Sequence, residues 1–104
     1  MSTTFEISTK NYINDKLAIK MAMSHMETLV GIINGYSLSE PYDKFGWTFF
    51  KIALNPDLQD GIEKKFSDMI EKYQWSNPTE KFTKFMTDYF ATKGCNVNIK
   101  SISS

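Results

Sequence analysis

A single histidine, His25, and a single cysteine, Cys95, are the residues of this 104-residue chain best suited to acid–base or nucleophilic chemistry. Together they could form a thiolate–imidazole pair, in which the imidazole takes the thiol proton and leaves a nucleophile. A helical wheel puts His25 beside Ala18, Met21 and Ile32, on the apolar side of a helix. There it could act as a buried base or an axial metal ligand. With no supporting arrangement of catalytic or ligating residues around it, a partly buried histidine satisfied by backbone or water is the favoured reading. Cys95 follows Gly94 in an expected turn, and no nucleophile signature surrounds it. One cysteine also excludes an internal disulfide and a cysteine-based metal cluster. The acidic residues are scattered singly, and there is no glycine-rich phosphate loop, nucleophile elbow or Walker lysine. The sequence therefore predicts no enzyme, no cofactor and no metal site.

The aromatic residues carry a stronger signal. Tyr42, Phe45, Trp47, Phe49 and Phe50 fall within nine positions, followed by Ile52 and Leu54. Read as a helix, this segment has Tyr42, Phe45 and Phe49 on one face and Trp47, Phe50 and Leu54 on another. A small helical bundle buries one stripe of each helix, so one group is surplus to the core. Trp47, Phe50 and Leu54, joined by Trp75, are the expected partner-binding residues, since exposed aromatics anchor protein interfaces. The alternative is a small-ligand pocket between the first two helices, with His25 on its wall beside Tyr42, Phe45 and Phe49. Five of the six methionines (Met21, Met23, Met26, Met69 and Met86) fall on apolar faces and are expected in the core.

Twelve lysines balance twelve acidic residues, and there is no arginine. Without net positive charge or the forked guanidinium donor, nucleic acid is a poor candidate partner. Such a role would need Lys10, Lys16, Lys20, Lys44 and Lys51 to converge on one face. The stretch from Leu17 to Ile33 is broken by Lys20, Ser24, His25, Glu27 and Thr28, so no membrane span is expected. The first residues lack the basic and apolar regions of a signal peptide, which predicts a cytoplasmic setting.

The elements that must position these residues read as helices. The first spans about 14–34, capped by Asn14 and stopped at Asn34-Gly35, and is apolar enough to be central. The second spans about 41–54, with Pro41 in its first turn. The third and fourth, about 56–74 and 78–93, start at Asn55-Pro56 and Asn77-Pro78 and carry clean apolar stripes. The ends, 4–8 and 96–100, alternate with period two and could pair as a short ribbon. The expectation is a mainly α, single four-helix domain, with a two-stranded β-ribbon where the ends pair. Its expected function is a non-enzymatic protein–protein interaction module that docks on another protein or on itself. A small modulator of a host system, encoded by a phage or mobile element, is one form this could take.

Overall fold

The protein is described by a computed structural model that covers residues 3–74 and 77–103. Its centre is an antiparallel sheet. Strand β1 (Thr4–Thr9) leads into helix α1 (Tyr12–Val30), followed by β2 (Tyr36–Leu38), β3 (Tyr42–Lys44) and β4 (Trp47–Leu54). Helices α2 (Pro56–Lys65), α3 (Ser67–Glu71) and α4 (Pro78–Thr92) come next, and β5 (Asn98–Ser103) closes the chain. Strand order is β2-β4-β1-β5, with β3 also paired to β4. The architecture is mixed α/β, which corrects the expected mainly α bundle.

Period-two patterning explains the sheet. Along β1, Phe5, Ile7 and Thr9 are buried while Thr4, Glu6 and Ser8 are not. Along β4, Phe50, Ile52 and Leu54 point the same way, pairing Ile52 with Phe5 and Phe50 with Ile7. These side chains meet Ile19, Met23 and Met26 of α1, Leu58 and Ile62 of α2, and Phe82, Phe85, Met86 and Phe90 of α4 in one core. The opposite face of the sheet carries Glu6, Phe49, Lys51 and Lys100, none of them buried. The result is two layers, one of sheet and one of helices.

The segment read as a helix over 41–54 is therefore a β-hairpin. Phe45 and Gly46 form its two-residue turn, with φ of 55° and 80°. Positive φ at both positions is the type I′ geometry whose twist matches that of the flanking strands. Gly46 adopts it freely; Phe45 does so against its Cβ. Pro41 starts no helix. Between the Leu38–Ile52 and Tyr42–Phe49 pairs the β2–β3 side has one residue more than β4, a bulge that contains Pro41 on the sheet edge.

The ends pair antiparallel as β1 and β5, but inside the larger sheet rather than as a separate ribbon. Helix α1 stops at Gly31, which has a φ of 74° and donates its N–H to Glu27. Gly35 serves a different purpose, since a Cβ there would sit 2.7 Å from Leu58 Cβ. The third expected helix is split at Phe66, whose φ of −112° departs from helical values as its ring packs on Phe85. The Asn-Pro starts act as read: Asn55 and Asn77 accept from the backbone N–H groups of Leu58 and Glu80.

Candidate functional site

The hairpin and the open sheet face beside it gather the exposed aromatics. Phe45, at the tip, is 90% exposed. Tyr42 and Phe49, cross-strand partners, stack with ring centroids 5.3 Å apart and an interplanar angle of 16°. Trp47 pairs with Lys44 across the turn, and the Lys10 ammonium sits 4.8 Å from the centre of its indole. Lys44 lies 5.6 Å from the Phe45 ring. The Thr48 hydroxyl donates to Asp43 at 2.7 Å, a further link across the hairpin.

Charge on this face is ordered by strand register. Glu6, on β1, lies opposite Lys51 on one side and Lys100 on the other. It also accepts from the Tyr42 hydroxyl at 3.2 Å. Lys51 and Lys100 thus flank one central carboxylate, and Lys10 and Lys44 lie beyond it at the hairpin end beside Trp47, giving the face a positive balance in a chain whose formal net charge is zero.

The sequence-predicted residues separate. Trp47 is on the open face. Phe50 and Leu54 are 0% and 2% exposed and belong to the core, so the grouping by helical wheel dissolves with the helix. Trp75 lies outside the described residues. His25 is exposed on α1, in the helical layer, while Tyr42 and Phe49 face out from the sheet layer. The residues of the expected ligand pocket are not brought together. An open groove of about 840 Å³ lies elsewhere, between α4 and β5, lined by Thr83, Thr87, Val97 and Ile99 among others.

His25 and Cys95 are also apart. The Cys95 thiol is buried 3.9 Å from the Asp15 carbonyl, and His25 lies ten residues further along the same helix, about 15 Å at helical rise. Burial, reinforced by the Asp15 carboxylate, pushes the thiol up to about 11. Such a group stays a thiol at neutral pH and is a poor nucleophile. Tyr73 donates to Asp88 on α4 at 2.6 Å, and burial together with that carboxylate pushes its hydroxyl up to about 12. Among the described residues no group of three His, Cys, Asp or Glu is placed to hold a metal ion, and no helix is long and apolar enough to cross a membrane.

Of the lysines required for a nucleic-acid face, Lys10, Lys44 and Lys51 do gather near the hairpin. Lys16 and Lys20 lie on α1, in the other layer. Sequence reasoning missed Glu6 and Lys100, which reach the site only through pairing with β4 and with each other. It also placed Met21 and Met69 in the core, whereas they are 66% and 53% exposed. The chain matches no family model, no curated protein and no solved structure.

Proposed function

We propose that the protein is a non-enzymatic protein–protein interaction module, and that the β3–β4 hairpin with the adjoining open sheet face is its contact surface. The observation that carries this reading is Phe45. A large aromatic stands almost fully exposed, in a left-handed conformation costly for any residue but glycine, asparagine or aspartate. The fold gains no burial from it. A strained outlier that does nothing for its own domain points to a role outside it. The lysines of this face favour a partner with an acidic surface, which such a field would steer and orient.

Phe45→Asn is the discriminating variant, because it creates the Asn-Gly pair that type I′ turns prefer. The expected result is an unchanged or higher melting temperature and a loss of partner capture of about 30-fold in affinity, the size of an interface hot spot. Equal capture of the same partners by the variant and the parent protein counts against the reading.

A second reading, single-stranded nucleic acid on the same face, is favoured by the four lysines beside three aromatics. It is the weaker one, because stacking needs bare rings. Tyr42 and Phe49 already stack on each other, and Lys10 covers Trp47. Salt-dependent binding of a labelled oligonucleotide, lost in Phe49→Ala, would establish it in place of the first.

A further inference from the structure

On one side the sheet ends in a strand that uses only half of its backbone groups. Strand order places β5 at the edge, beyond β1, and among the described residues no strand pairs with its other side. Register fixes where its backbone groups point. The Leu54 N–H donates to the Thr3 carbonyl at 2.9 Å, so the odd-numbered residues of β1 bond to β4. Glu6 and Ser8 therefore bond to Lys100 and Asn98 on β5. Ile99 and Ser101, which alternate with them, turn their N–H and C=O groups outward. The opposite edge is blunted, since β2 and β3 are three residues each and are separated by the bulge with Pro41. The β5 edge holds no proline, and its pairing is regular from Asn98 to Ser101.

We infer that this edge receives an extended peptide of a partner protein, paired antiparallel to β5, with an acidic residue opposite Lys100 and small or β-branched apolar residues on either side of it. This is a second surface, and it stands without the hairpin contact. The backbone sets the first requirement. Ile99 and Ser101 offer two donors and two acceptors in one line, which another extended backbone matches at both residues. The groove between β5 and α4 sets the second. Val97, Ile99 and Ser101 are half-buried along one wall, and Thr83 and Thr87 are half-buried along the other. The Thr83 and Thr87 hydroxyls donate to the carbonyls of Thr79 and Thr83 at 2.8 Å each, so neither needs a partner from the groove. Alternate side chains of an added strand enter this space, whose lining suits compact apolar groups.

Charge selects the residue on the other face. Across the open side the register runs Lys51, Glu6, Lys100, alternating in sign from strand to strand. Lys100 is exposed, and among the described residues it forms no ion pair. A carboxylate on the added strand continues the alternation. Because the Lys100 backbone bonds to β1, its pair with the new strand is a non-hydrogen-bonded one, in which opposite side chains lie closest. A second copy cannot supply this partner through its own edge, since β5 has no acidic residue.

The test is fluorescence anisotropy of a labelled peptide, Ser-Thr-Val-Glu-Val-Thr-Ser, titrated with the full chain. Saturable binding is expected. N-methylation of both valines removes the N–H groups that meet Ile99 and Ser101, and should abolish it. N-methylation of the glutamate, whose N–H points away from β5, should be tolerated. Lysine in place of the peptide's glutamate should weaken binding about tenfold, and Lys100→Glu should reverse the preference between the two peptides. Ser101→Pro blocks the edge without taking a hydrogen bond from β1, and should abolish binding at an unchanged melting temperature. No binding at millimolar peptide overturns the inference. So does binding indifferent to methylation of the valines, or a preference that Lys100→Glu leaves unchanged. A parent chain that sediments as a dimer, and as a monomer in Ser101→Pro, would assign the edge to a second copy and overturn it equally.

Discussion

Strand β4 presents two sides that differ little in residue type and completely in fate. Toward the helices, Phe50, Ile52 and Leu54 are sealed in the core; toward solvent, Trp47, Phe49 and Lys51 lie on an open face. Both sides are rich in large apolar groups. What separates them is parity along the strand, set by pairing with β1 and by the helices that cover one face alone. Aromatic density in a sequence therefore marks material for a core or for a contact surface, and only the register assigns each ring.

That contrast can be broken at its strongest point. Phe50→Ala removes a fully buried ring that meets Tyr12 edge-on at 5.3 Å, and should destabilise the domain by about 3–5 kcal/mol. Urea unfolding measures it, and a loss under 1 kcal/mol would mean that the two sides of β4 have been exchanged. Trp47→Ala, three residues away, should cost about 1 kcal/mol or less, since its ring lies on the open face beneath a solvated lysine. Equal losses at the two positions would erase the distinction.

The two sides should also differ in their response to alkali. Cys95, on the core side, has its thiol pushed up to about 11 by burial and by Asp15, against about 9 for an ordinary thiol. The unfolded chain releases this proton first, so the buried thiol supports folding fully below pH 9. That support falls as pH rises toward 11 and is lost through that range. Cys95→Ala should flatten the alkaline decline in melting temperature between those values. The same decline in the variant would place its cause elsewhere. Alkylation of Cys95 at neutral pH should proceed only as fast as the core opens.

How much of this was legible in the sequence depended on where each signal resides. Helix α4 and the start of α2 could be read because Asn-Pro caps and apolar periods are local. The hairpin could not, although Thr48, Phe50, Ile52 and Leu54 alternate correctly. Phe45 occupies a turn position that asparagine or glycine normally announces, and Pro41 imitates a helix start. The partner that decides for strand, β1, is some forty residues away, and no local pattern reports a pairing at that distance. Helix α1 failed for a related reason. Its apolar residues run nearly all round, which reads as a central helix. A sheet packed on one side leaves Ile13, Leu17 and Met21 outside. Of the expected partner-binding residues only Trp47 lies at the candidate site, where Tyr42, Phe45 and Phe49, expected to line a ligand pocket, join it, while Glu6 and Lys100 arrive through strand register.

The smallest effect is the most informative about the open side. Phe45 holds a φ of 55°, and its ring, 90% exposed, recovers almost nothing by burial. Asparagine tolerates the left-handed region better than phenylalanine, because its short polar side chain can bond locally. Replacing Phe45 should therefore relieve part of a strain of order 1 kcal/mol, set against the loss of a weak contact with Lys44. The expected net gain for Phe45→Asn is about 0.5 kcal/mol, read as a rise of a few degrees in melting temperature for a domain of this size. Phe45→Ala serves as the control: it removes the same ring without easing the turn, and should leave stability unchanged or slightly lower. A gain with asparagine and none with alanine shows that the tip is strained and that its ring contributes nothing to the isolated fold. A loss of more than 1 kcal/mol with both shows that the ring packs within its own domain, and the open side of the sheet then loses its leading contact residue.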